Sequence, residues 1–106
     1  MPLEISEAER RGQHVISVSG EVDLYTSPTL RQALLSAIER WRRVGVDLSR
    51  VAYMDSSGVA TLVEGYKLAQ ASDHQMSILQ PSEQVLKVLK LARLDSIFTI
   101  EVDSAT

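Results

Sequence analysis

The sequence predicts an α/β domain of order β-β-α-β-α-β-α-β, a mixed sheet with its helices mainly on one face. Three observations carry this expectation. Apolar residues alternate at Val44, Val46 and Leu48 in a period-two strand pattern. Three other stretches place apolar residues at helical spacing, of which Val59, Leu62, Val63, Tyr66 and Ala69 is the most regular. Strand and helix patterns then alternate along the chain, the signature of crossover units.

In order, Leu3 to Glu9 alternates weakly, Arg10-Arg11-Gly12-Gln13 reads as a turn, and Val15-Ile16-Ser17-Val18 is a β-branched strand. So short a connection cannot make a parallel crossover, so these two strands form an antiparallel hairpin. Gly20 to Thr26 reads as the loop leaving it, with carboxylates at Glu21 and Asp23. Ser27-Pro28 carries the signature of a helix start, hydroxyl at the cap and proline at the first helical position. The helix that follows gathers Leu30, Ala33, Leu34, Ala37, Ile38 and Trp41 on one face. The strand at Val44–Leu48 leads through a short polar connection to Asp55-Ser56-Ser57-Gly58 and the second helix. After a polar break at Ser72–Gln75, Met76–Leu79 is a strand stopped by Pro81. Ser82 caps a third helix with Val85, Val88, Leu89 and Ala92 inward, and Ile97–Ile100 is the last strand. Asp103–Thr106 is expected to be a loose tail. If successive strands are neighbours, right-handed crossovers put every helix on one face. Val44, Val46 and Leu48 then face the helices, and Gly45, Asp47 and Ser49 face away.

The 106 residues suffice for one core and are too few for two, so residues 1–106 are expected to form one domain. At 44% hydrophobic and 24% charged, the chain has the make-up of a folded globule, not a disordered one. A net charge of −3 argues against nucleic-acid binding as the main activity, which calls for a basic face. The absence of cysteine excludes disulfides, thiolate metal sites and cysteine catalysis. No apolar run approaches a bilayer span, and Met1–Arg11 is too charged for a secretory signal, so a cytoplasmic location without membrane insertion is the expectation.

Catalysis finds little support. A hydrolase built on Ser56 or Ser57 would want a G-x-S-x-G elbow and a histidine base, but no glycine stands two residues before either, Met54 occupying that place for Ser56. His14 and His74 are isolated, without flanking carboxylate patterns, and read as surface polar residues. No zinc or phosphate-loop motif is present, and no cofactor is implied. Glu64 and Lys67, three apart on the second helix, read as a weak surface pair.

The turn Asp55-Ser56-Ser57-Gly58 carries two readings. Asp and Ser at a helix start accept hydrogen bonds from the unpaired amides of the first turn, so it can be a cap and nothing more. Alternatively one hydroxyl is modified: a phosphoserine brings about −1.5 to −2 charges and three acceptor oxygens beside Asp55. Gly58 omits a side chain, so that another surface could approach the backbone closely.

Gly20-Glu21-Val22-Asp23, Val46-Asp47-Leu48-Ser49 and Met54-Asp55-Ser56-Ser57-Gly58-Val59 resemble the successive motifs of STAS domains. They resemble in particular the anti-sigma factor antagonists of bacterial partner-switching systems. The resemblance runs from the hairpin to the last strand, with one departure: Ser72-Asp73-His74 stands where relatives often carry a glycine pair. It implies that Ser56 is the phosphorylated residue and that Asp23, Asp55, Ser57, Gly58 and Val59 contact a partner. The implied partners are an anti-sigma factor that is also a serine kinase, and a metal-dependent serine/threonine phosphatase that reverses the modification. Other STAS domains are regulatory subunits of phospholipid-transporting ABC transporters. The helix from Val59 to Gly65 suits docking to such a permease as well.

Overall fold

Arg11 and Gly12 both take positive φ, 53° and 80°, the pair of values that a tight two-residue hairpin turn requires. They join β1 (Glu4–Arg10) to β2 (Gln13–Val22), antiparallel, with Arg10 opposite Gln13. The computed structural model describes residues 3–103, so the expected tail lies partly outside the described residues, at 104–106. Helix α1 (Ser27–Arg40), β3 (Arg43–Met54), α2 (Ser56–Ser72), β4 (Gln75–Leu79), α3 (Glu83–Leu91) and β5 (Thr99–Glu101) follow. The five strands stand in sequence order, β1-β2-β3-β4-β5, with every pair after the hairpin parallel. The mixed sheet and the order β-β-α-β-α-β-α-β are those the sequence predicts.

Val44, Val46 and Leu48 are buried with Ile16, Val18, Leu30, Leu34, Ile38, Leu62, Ile78, Val85 and Leu89 in one apolar cluster between sheet and helices. The other face is a shallow trough lined only by strand residues, among them Ser17, Ser19, Asp47 and Ser49. Asp47 is tolerated there because Ser49 donates to it twice, at 2.9 Å and 2.7 Å, and Arg10 lies 3.6 Å away.

Several expectations are corrected. The stretch Ser49–Tyr53 is no connection but the second half of a twelve-residue strand. Its pairing to β2 shifts between Ser17 and Ser19 and again between Gly20 and Glu21, each time with an extra residue on β3. The bulges break the period-two pattern, which is why Val51 and Met54 return to the core three residues apart. Gly20–Val22 likewise belongs to β2, not to the loop.

The first helix is capped one residue earlier than expected, at Thr26, and without a side-chain cap bond. Its hydroxyl is already engaged, donating to the Glu21 carbonyl at 2.8 Å and accepting from the Asp23 amide at 2.9 Å. Ser27 is buried inside the helix, and Ala92, assigned to the apolar face of α3, is exposed. Glu64 pairs with Arg31 of α1, through two bonds of 2.8 Å and 2.5 Å, in place of Lys67. His14 does have a carboxylate: its Nε2 lies 2.6 Å from Glu7 on the neighbouring strand, and its ring stacks on Trp41. His74 is also half-buried, donating from Nδ1 to the Ile38 carbonyl at 2.7 Å.

Candidate functional site

The parallel strands β2 and β3 end together, at the paired residues Val22 and Met54. The segments that leave them therefore emerge side by side, one carrying Asp23 and the other Asp55. The Asp55 amide donates to the Val22 carbonyl at 3.1 Å, tying the two turns together at their roots. The far half of β3 has no β4 partner, because β4 pairs only with Arg43–Asp47. The start of α3 takes its place. Ser82 donates to the Val51 carbonyl at 2.7 Å, and the Gln84 amide grips Met54 on both sides, accepting from its N–H at 2.8 Å and donating to its carbonyl at 3.2 Å. Gln84 thus fixes the residue that launches the turn. No sequence pattern marks it, because the part of β3 that lacks a β4 partner is itself out of phase with a strand pattern.

Asp55 is the N-cap of α2. Its Oδ1 accepts from the Ser57 amide at 2.9 Å, the Gly58 amide at 3.4 Å and the Ser57 hydroxyl at 2.5 Å. These bonds favour the charged form, the Ser57 hydroxyl most of all, and hold the Asp55 carboxyl below the ordinary aspartate value; the Leu24 amide of the adjacent turn adds a smaller contribution. The two serines are sorted by this arrangement. Ser57 is half-buried with its hydroxyl committed to Asp55, whereas Ser56 is exposed on the first turn and its hydroxyl bonds to no described residue.

Because the native Asp55 value is lowered, its contribution to stability is complete above about pH 4, the unfolded aspartate value, and drains as pH falls through the native value. Asp55→Asn keeps an N-cap acceptor. It should therefore cost little at pH 7 and flatten the acid limb of a stability-versus-pH curve below pH ~4. Asp55→Ala should cost about 1 kcal/mol at pH 7. Urea denaturation at a series of pH values checks both; an unchanged acid limb in Asp55→Asn would remove the carboxylate from this role.

The remaining predicted residues fall as follows. Asp23 is a turn-former as well as an acid at the site: its Oδ1 accepts from the Tyr25 and Thr26 amides at 2.9 Å and 3.0 Å. Gly58 is buried. A Cβ there would stand 2.6 Å from Met54 Cγ and 2.8 Å from Val22 Cγ1, so the surface that approaches its backbone is the chain's own strand pair. Val59 is half-buried and packs against the core. Two concavities lie on the sheet's open side and neither includes a residue of the 55–59 turn. Among the described residues there is no group of three or more metal-ligating side chains, and no helix is long and apolar enough to cross a membrane.

A protein-family model described as "Mlab, STAS domain" matches residues 5–101. The chain is 30% identical to an anti-sigma F factor antagonist of Paenibacillus polymyxa, over all of this chain and 95% of that one. Among solved structures it is similar to an anti-sigma factor antagonist from Mycobacterium paratuberculosis, with TM-score 0.85 and 25% identity over 93% of this chain and 85% of that one. The phosphorylated form of SpoIIAA, a Bacillus cell fate determinant, shares the fold at TM-score 0.72 and 22% identity, over 95% of this chain and 93% of the other.

Proposed function

The chain belongs to the STAS domain family, and from that premise we propose that it is a phosphorylation-switched anti-sigma factor antagonist. Unmodified, it docks on an anti-sigma factor that is also a serine kinase, and so frees a sigma factor. The kinase transfers the γ-phosphoryl group of ATP to the Ser56 hydroxyl, whose proton is lost as the ester forms and ADP leaves. The modified domain is released, and a metal-dependent serine/threonine phosphatase hydrolyses the ester. The domain itself performs no chemistry.

The observation that carries this proposal is the sorting of the two hydroxyls. Ser56 stands exposed with its hydroxyl bonded to no described residue, where an enzyme's active site can reach it, while Ser57 is held by Asp55. That SpoIIAA is known in a phosphorylated form supports it on the same fold. Asp23, Asp55, Ser57, Gly58 and Val59 form the surroundings of that hydroxyl. Asp23 and Asp55 shape the two turns, and Gly58 and Val59 seat the helix beneath them.

Mass spectrometry of the protein isolated from its own cells should find phosphate on Ser56. Ser56→Ala should carry no label and bind its partner at all times. Label that persists in Ser56→Ala and vanishes in Ser57→Ala would move the site by one residue. Complete absence of the modification, with stable association to a permease and its ATPase, would establish the transporter-subunit alternative instead.

A further inference from the structure

Six large apolar residues are exposed among the described residues, and three of them, Leu24, Tyr25 and Tyr53, stand at the Ser56 end of β2 and β3. Leu24 and Tyr25 are 70% and 88% exposed, and neither joins the core or packs against it. They gain the fold nothing by being apolar. Yet their backbone is firmly built. The Asp23 carboxylate holds the Tyr25 and Thr26 amides, the Asp23 carbonyl accepts from Thr26 and Ser27 at 3.2 Å and 2.8 Å, and the Thr26 hydroxyl bridges back to Glu21. Two bulky side chains are thus presented on a preformed support, which reduces the ordering that association would require.

We propose that Leu24 and Tyr25 are the apolar anchors by which the unmodified domain binds its anti-sigma factor kinase, filling a recess beside the kinase's phosphotransfer centre. This rests on the phosphorylation switch proposed above. The occupant follows from geometry. An enzyme that places ATP against Ser56 Oγ must cover the ground around it, and a standard interface covers roughly 800 Å² per partner, a patch of about 16 Å radius. Asp55 adjoins Ser56 in the chain and is bonded to Val22, two residues before Leu24, so the anchors fall inside any such patch. Tyrosine is enriched among the few buried residues that carry most of the affinity of such interfaces, and Leu24 adds apolar bulk beside it. The anchors are flanked by Glu21, Asp23 and Asp55, so the partner's recess should have a basic rim. Affinity and switching are then divided: the anchors bind, and the hydroxyl decides whether binding is allowed.

The test uses the intact chain and the purified serine-kinase anti-sigma factors of its source organism, with affinity measured by titration calorimetry. Leu24→Ser/Tyr25→Ser should lose about 100-fold in affinity while its melting temperature stays within a few degrees of the parent. Leu24→Met and Tyr25→Phe should each stay within about threefold, since apolar bulk is kept. Introducing Ser56→Asp into the double variant should lower its residual affinity by the same factor as in the parent. Unchanged affinity in the double variant, with the parent bound and phosphorylated, overturns the anchors and spares the switch. Failure of every such kinase to bind or phosphorylate the parent overturns both, as does binding of this edge only to a second copy of the chain or to a transporter ATPase.

Discussion

Ser56→Asp is expected to weaken the kinase complex about a hundredfold while leaving the fold and its thermal midpoint nearly intact. The argument turns on where the added charge sits. An anion at the N-terminus of α2 is favoured by the helix dipole by roughly 0.3–1 kcal/mol. Against this stands the Asp55 carboxylate, one residue away and held in its charged form by the Ser57 hydroxyl and the first-turn amides. Two charges about 6 Å apart in water repel by about 0.7 kcal/mol, and salt reduces that further. The two effects nearly cancel within the domain. A residual of 1 kcal/mol would move the melting temperature by roughly 4–8 °C in a domain near this size, so a shift smaller than that is the expected result.

No such cancellation exists across the interface. A partner shaped around a neutral hydroxyl, with the triphosphate of ATP placed against it, must now accommodate another negative group beside that nucleotide, and juxtaposed like charges cost several kcal/mol. About 2.8 kcal/mol already amounts to a hundredfold. Ser56→Asn, similar in size and uncharged, should weaken binding far less, and raised salt should restore part of the Ser56→Asp affinity. Circular dichroism together with calorimetry reads both sides of the claim. A large loss of helicity in Ser56→Asp would show that the charge acts by melting α2 rather than by spoiling the docking surface.

Much of what depends on local pattern was legible in the sequence. The hairpin follows from the length of its turn, α3 from Ser82 at its cap, and the helix-free face from the alternation that turns Asp47 away from Val46 and Leu48. The turn at residues 55–58 could be recognised as a helix start, and the presence of two hydroxyls there was plain. Which one is free was not legible, because that depends on a hydrogen bond from Ser57 to Asp55 that cap statistics do not assign to either serine. The second half of β3 was hidden by two bulges, whose extra residues put a strand out of phase with the pattern used to find strands. Long-range pairs were illegible for a simpler reason. Gln84 with Met54, His14 with Glu7 and Arg31 with Glu64 are joined by topology and not by spacing. The apolar series along α2 was also read too literally. Val59, Val63 and Tyr66 are only half-buried, and the face turned inward is built from Gly58, Thr61, Leu62, Gly65 and Ala69, because small residues let the helix sit close.

That close approach sets up the second large effect, at the contact of α1 with α2. Leu34 is fully buried, and a Cβ placed on Gly65 would stand 2.6 Å from its Cδ2, 3.1 Å from its Cγ and 3.1 Å from Met76 Sδ. Leu34→Ala should cost about 3 kcal/mol, by lost burial and an incompletely collapsed cavity, and lower the melting temperature by roughly 12–24 °C. Gly65→Ala alone pits overpacking of about 1–3 kcal/mol against a helix-propensity gain of about 1 kcal/mol, and should be neutral to destabilising. In the Leu34→Ala background the same substitution should change sign. The nearer obstructing side chain is gone, Met76 Sδ can shift into the space it leaves, the propensity gain of about 1 kcal/mol is kept, and the new methyl fills part of the void. Urea denaturation of the four proteins closes the cycle, and a coupling of about 2 kcal/mol is expected, since contacting residues reach 0.5–3 kcal/mol. Additivity within 0.5 kcal/mol would mean that α2 can slide away from α1 without cost. The double variant also bears on the switch. Its substitutions lie in the packing beneath α2, whereas Ser56 and Asp55 sit at the helix's outer end, so a folded double variant should bind the kinase with parental affinity and still lose it on Ser56→Asp. Weakened binding in a stably folded double variant would mean that the docking edge depends on how tightly α2 is seated, and that the scaffold and the switch are a single mechanical unit.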